Sequence, residues 1–274
     1  MCFNYNYYEL KELTSDEKKF FRLLYKDVPT IIKDKIDEIL SLHDNEYIIE
    51  ASDKKTEELI NKIFKENYEE IKKKVFIQCG ESFMTNIEKD INNNLWDNLY
   101  KMNNDFIKDE QNRVDFFSYI IAQMWRVPKQ KKLLYKIFEE IKNKIEIDIS
   151  VDNIFTYFII FESMLKAVKL SNENKHKIVY FQVDKDSEIL FITSDNPVVN
   201  ICENYNNKVD SLNYEIYWPL SPNLAILITE DFNKINQCIN EEKIIKYNQL
   251  IINNANEFII SYNEKSINKD LYQI

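Results

Sequence analysis

Residues 177–193 read Lys-Ile-Val-Tyr-Phe-Gln-Val-Asp-Lys-Asp-Ser-Glu-Ile-Leu-Phe-Ile-Thr, and the fold class turns on them. Two runs rich in β-branched and aromatic residues, Lys177 to Val183 and Glu188 to Thr193, flank the turn formers Asp184-Lys-Asp-Ser187. That pattern predicts a β-hairpin. Just upstream the pattern differs: Ile154 to Leu170 is apolar nearly all round and reads as a buried helix. The chain therefore changes from helical to strand periodicity between Leu170 and Lys177. Downstream, Tyr214 to Trp218 and Leu224 to Thr229 read as strands separated by Pro219-Leu-Ser-Pro222. A helix over Glu241 to Ala255 and a strand over Glu257 to Tyr262 complete the set.

Everything before Ile154 reads as helix. Thr14-Ser-Asp-Glu17 is a capping box, because the Thr14 hydroxyl can accept a backbone N–H while Glu17 reaches back. Pro29 suits the opening of a second helix with Ile32, Ile36, Ile39 and Leu40 on one face. Ser52 opens a longer segment that stops near Gly80. Another helix starts near Ser82, with Ile87, Ile91, Leu95 and Leu99 as an i, i+4 stripe. Val114 to Trp125 is strongly apolar and must end before Pro128, since the residue preceding proline avoids the helical region. Leu133 to Ile145 is amphipathic. Helices first and strands afterwards argue for α+β, a helical part over 1–170 packed on a mostly antiparallel sheet over 171–274 with one late helix, in a single compact unit.

Composition excludes several function classes. A single glycine, Gly80, rules out the Gly-rich phosphate loops, and two histidines, His43 and His176, cannot form a His-x-x-x-His metal helix. Lys plus Arg is 36 against 46 Asp plus Glu, a net charge of −10. Despite the local Lys129-Gln-Lys-Lys132 run, that field repels a polyanion and argues against direct nucleic-acid binding. Cys2, Cys79, Cys202 and Cys238 are scattered with no Cys-x-x-Cys pair, which fits reduced thiols in a cytoplasmic protein. Met1 to Tyr8 lacks the pattern of a signal peptide. Ile154 to Leu170 carries Glu162 and Lys166 and falls short of a membrane span.

Several segments resemble one family. Phe191-Ile-Thr-Ser-Asp-Asn-Pro-Val198 followed by Trp218-Pro-Leu-Ser-Pro222 looks like the signature of the mainly bacterial domain-of-unknown-function family 4238. Gln123-Met-Trp-Arg126-Val-Pro128, Tyr7-Tyr-Glu-Leu-Lys-Glu-Leu-Thr14, and Asn248 with Ala255 and Phe258-Ile-Ile-Ser261 are similar to further stretches of it. The resemblance covers nearly the whole chain and brings no assigned activity. Members typically open with a His-Tyr-x-x-x-x-Tyr-Leu type segment; this chain starts at the segment that follows.

The candidate site residues are polar groups embedded in apolar segments. Asp195, at a predicted strand end within Ser194-Asp-Asn-Pro197, could serve as a base, metal ligand or substrate clamp, or simply shape an Asx-turn. Arg126 ends an apolar helix and needs a carboxylate partner such as Asp195 or Glu88, because an unpaired buried charge is costly. Gln123 lies three residues before it, on the same helix face. Glu81 and Glu88 could share a helix face with Asn92, or be ordinary solvated surface. One expectation is a hydrolase-like domain directed at a nucleotide or nucleic acid. In it Asp195, Arg126 and Glu88 act, and Gln123, Ser194 and Asn196 bind substrate, without metal or cofactor. The other is a non-catalytic interaction or regulatory module, in a host-defence context, with Arg126 and Asp195 as a latch. The first predicts convergence of the three charged groups; the second predicts an exposed apolar patch.

Overall fold

A computed structural model describes residues 10–41, 95–142, 148–173, 175–204 and 214–272. Among these are seven α-helices: α1 Ser15–Leu24, α2 Thr30–Ser41, α3 Leu95–Tyr100, α4 Glu110–Trp125, α5 Pro128–Lys142, α6 Val151–Glu173 and α7 Glu241–Asn254. The seven strands are β1 Lys177–Val183, β2 Thr193–Ser194, β3 Val199–Asn200, β4 Ile216–Ser221, β5 Leu224–Thr229, β6 Gln237–Ile239 and β7 Ile259–Ile260. The class is α+β. The helix expected from Ser52, most of that from Ser82, and His43, Glu81, Glu88 and Asn92 lie outside the described residues.

The chain forms two compact units, each built from two stretches: residues 1–89 with 133–165, and residues 90–132 with 166–274. Their bounds differ from a division into 1–170 and 171–274, because α3, α4 and the start of α5 group with the strands. Side chains show how. Asn104 Nδ2 donates to the β1 carbonyl of Ile178 at 3.0 Å, Arg113 Nε donates to Ser171 Oγ at 3.0 Å, and Trp96 packs on Trp218 with ring centroids 5.2 Å apart.

In the first unit the capping box forms as its spacing predicts: Glu17 N–H donates to Thr14 Oγ1 at 3.2 Å and Thr14 N–H to Glu17 Oε2 at 2.8 Å. The other oxygen of Glu17 has a second task. Oε1 accepts from Ser150 N–H at 3.0 Å and Asn153 Nδ2 at 3.2 Å, so this buried carboxylate joins the starts of α1 and α6. Phe161 packs edge-to-face against both Phe21 and Tyr25, and the Tyr25 hydroxyl donates to Glu162 at 3.0 Å. Burial foremost, then the Glu162 charge, holds the Tyr25 phenol well above its ordinary range.

In the second unit the main sheet runs β3-β4-β5-β1-β6, antiparallel except for the parallel β1–β6 pair. β5 is buried at every position, so both faces of the sheet centre are covered. β4 continues through Pro219 to Ser221, past the expected stop at Trp218, with a register shift between those two residues. Proline is tolerated there because the outer neighbour, β3, pairs only with Ile216 and Tyr217, leaving no ladder bond for Pro219 to make on that side. Two residues past the end of α3 stands Met102, whose φ of 53° is left-handed. Asn103 N–H reaches Asn98 O at 2.8 Å and Met102 N–H reaches Leu99 O at 3.0 Å, a Schellman closure without glycine.

The expected hairpin between Lys177–Val183 and Glu188–Thr193 does not form. β1 pairs with β5 and β6 instead, and of the second run only Thr193 is in a strand, where β2 pairs with β7 in a separate two-stranded sheet. Residues 188–192 are held chiefly by side chains. Asn248 Oδ1 accepts from Ile192 N–H at 3.1 Å and its Nδ2 donates to Leu190 O at 2.8 Å, one amide doing the work of a neighbouring strand. Ser266 Oγ accepts from Leu190 N–H at 2.8 Å, and Glu241 Oε1 accepts from Glu188 N–H at 2.8 Å. The Tyr272 hydroxyl links this set, donating to Ser266 O at 2.5 Å and accepting from Asn248 Nδ2 at 3.2 Å.

Candidate functional site

The Ser194-Asp-Asn-Pro197 turn leaves β2 and meets the C-terminal end of α7. Ser194 Oγ accepts from Asn196 N–H at 3.1 Å and donates to Asn196 O at 3.0 Å, closing a local turn before Pro197. That turn aims Asp195 at the chain beyond α7. Its Oδ1 accepts from Asn256 N–H and its Oδ2 from Glu257 N–H, both at 3.0 Å. Asn196 Nδ2 donates to Asn254 O at 3.3 Å, and the Asp195 N–H donates to Phe258 O at 3.4 Å. The bond to Asn254 O satisfies a carbonyl that the end of α7 leaves unpaired, and the others satisfy backbone groups of the chain just beyond it.

Two lysines complete the cluster. Lys129 Nζ reaches Asn254 Oδ1 at 3.1 Å and Lys132 Nζ reaches Asn256 Oδ1 at 3.0 Å. Ammonium groups near a helix C-terminus are favourable against its partial negative charge. Both come from the first turns of α5, which Pro128 begins. Gln123 and Arg126 lie at the end of α4 just before it; Arg126 is the half-buried C-cap, its N–H donating to Ala122 O at 2.9 Å.

The predicted residues therefore separate into groups. Ser194, Asp195 and Asn196 converge with Asn254, Asn256, Lys129 and Lys132 on one turn. Gln123 and Arg126 belong to the same compact unit, while Glu88 lies outside the described residues. The hydrogen-bond partners of Asp195 are backbone amides. The buried polar atoms with no hydrogen-bond partner among the described residues include Gln123 Nε2, Asn196 Oδ1 and Asn256 Nδ2. No group of three or more His, Cys, Asp or Glu suited to a metal ion occurs among the described residues, and no helix among them is long and apolar enough to cross a membrane.

The family described as protein of unknown function (DUF4238) matches residues 1–265. The chain belongs to the DUF4238 family. Neither the curated proteins nor the solved structures give a match. Among the segments of this DUF4238 protein that carry the resemblance, Ser194–Pro197 forms the turn onto α7, Asn248 bridges residues 190 and 192, Ala255 caps α7, and Trp218 to Ser221 lie in β4.

Sequence reasoning missed Asn254, Asn256, Lys129 and Lys132 as partners of the turn, and Glu241 and Ser266 as partners of the 188–192 strip. The readable signal was Asn248, a polar residue on the apolar side of α7 that is fully buried in the fold. Such a residue must find hydrogen bonds there. His176, to which the sequence assigns nothing, has its Nε2 3.3 Å from Glu230 Oε1.

Proposed function

We propose that this protein is a non-catalytic interaction module in which Ser194, Asp195 and Asn196 form a structural latch on α7. The observation that carries this reading is the commitment of both Asp195 oxygens to the amides of Asn256 and Glu257. A carboxylate serving as general base needs an oxygen directed at a substrate proton. An exposed apolar run on β7 supports the same reading: Phe258, Ile259 and Ile260 are 39–48 % exposed and Tyr262 is 80 % exposed. β7 is also an edge strand of its two-stranded sheet, and exposed apolar edges mark interaction surfaces.

The hydrolase-like reading, with Asp195, Arg126 and Glu88 acting and Gln123, Ser194 and Asn196 binding, is favoured by one observation. Gln123 Nε2 and Asn196 Oδ1 are buried with no hydrogen-bond partner among the described residues, and a bound polar ligand would supply one. The deciding experiment incubates the protein with bis-(p-nitrophenyl) phosphate, ATP and GTP beside Asp195→Asn. The module reading expects no release above blank by either protein. Turnover by the parent that disappears in a folded Asp195→Asn overturns it.

A further inference from the structure

We propose that a cavity beside the first turns of α7 binds a small organic anion with a flat apolar body, an inference independent of the reading above. The cavity has a volume of about 750 Å³, within the roughly 300–1,000 Å³ usual for small-molecule sites. It lies entirely in the second unit, between α7, β1, β6 and the turn at Leu271.

Its floor is the open side of the core. Phe181 and Ile239 belong to the buried cluster under the sheet, and Tyr247, Leu250 and Leu271 pack against that cluster while only partly buried. Tyr247 is fixed in place. Its ring stacks on fully buried Tyr217 with centroids 4.6 Å apart and lies 5.1 Å from Phe181. A rigid aromatic wall favours a planar partner, because offset stacking adds to simple burial.

The wall chemistry sets the charge of the occupant. Lys234, Lys243 and Lys246 line the cavity against one carboxylate, Glu215. Glu215 is already engaged, accepting from Lys234 and from Thr229 Oγ1. Lys243 donates to Gln237 at 3.1 Å, a neutral partner, and shares the Glu242 carboxylate's attraction with Lys246. Lys246 pairs with exposed Glu242, outside the lining. Three ammonium groups against Glu215 and Glu242 leave a net positive charge at this mouth, on a chain of net charge −10, and that charge favours an anion here.

The test uses two fluorescent probes sharing one ring system, anilinonaphthalene sulfonate and uncharged N-phenylnaphthylamine, titrated into the full chain with native near-UV circular dichroism. The sulfonate should bind one saturable site. Lys243→Glu with Lys246→Glu should weaken it roughly tenfold and leave the uncharged probe within about twofold. Lys169→Glu with Lys185→Glu, the same charge change on exposed residues outside the lining, should leave both probes unchanged. Leu250→Trp, filling the cavity, should abolish binding of both. Non-saturating sulfonate binding, or equal loss in the two charge-reversal variants, overturns the proposal. So does undiminished binding in Leu250→Trp, whose fold is checked by the same dichroism.

Discussion

β1 and the 188–192 strip are two runs of similar composition that lie close in sequence and are held by opposite means. β1 is locked by backbone ladders to β5 and β6, with six register pairs to β5 alone from Lys177↔Thr229 to Gln182↔Leu224. The strip from Glu188 to Ile192 takes its hydrogen bonds largely from Asn248, Ser266 and Glu241. A ladder is redundant, since each backbone bond survives the loss of any one side chain. A strip sewn by side chains is not. Apolar, β-branched composition tells that a segment will be extended and buried; it does not tell which groups will satisfy its backbone.

The largest expected effect breaks this contrast at its centre. Asn248→Ala strands the buried N–H of Ile192 and carbonyl of Leu190 and should cost about 3–4 kcal/mol of unfolding free energy in urea. Ile228→Val in the fully buried β5, which leaves every ladder bond in place, should cost about 1 kcal/mol. Equal costs would show that the strip is held by something other than Asn248. Next comes the latch. Asp195→Ala should lose about 2 kcal/mol, and Asp195→Asn about half of that, since an amide keeps one acceptor oxygen. Urea midpoints at matched slope measure both.

Alkaline titration acts on both regions together. Tyr180 and Tyr217 of the sheet, and Tyr272, which links the strip's partners Asn248 and Ser266, are all held above the ordinary phenol value of 10.0, burial being the leading cause. The unfolded chain gives up these protons first, so stability is level below pH 10 and falls as pH rises beyond it. Tyr217→Phe should flatten that fall, as read from urea midpoints across the alkaline range. The smallest effect lies where no partner chemistry enters. Met102→Gly should raise stability by about 1 kcal/mol, because its left-handed backbone costs a side-chain-bearing residue that much. A Tm shift of a few degrees would register it.

Local features were legible because local chemistry decides them. Thr14 and Glu17 cap α1 as their spacing requires, α4 ends before Pro128, and α7 begins and ends within a residue of the reading from Glu241 to Ala255. The antiparallel character of the sheet and the late helix followed from the order of elements. Pairing was not legible. Asp184-Lys-Asp-Ser187 looks like a hairpin turn, yet β1 finds its partners in β5 and β6, forty or more residues away in sequence. Nothing in the turn encodes that competition. At the candidate site, the turn chemistry of Ser194 to Pro197 could be read. Its target could not, since Asp195 bonds backbone amides, which every residue but proline possesses.

The interleaving of the two units governs how the protein can be dissected. The chain passes from one to the other three times, after Lys89, Lys132 and Leu165, and the last two passages run inside α5 and α6. No single cut frees either unit whole, and the first cannot be complete on the ribosome until its second stretch, through Leu165, has emerged. A cut or fusion at residue 170 would leave the first unit whole but divide the second, parting residues 90–132 from 171–274, so functional mapping should proceed by substitution and not by deletion.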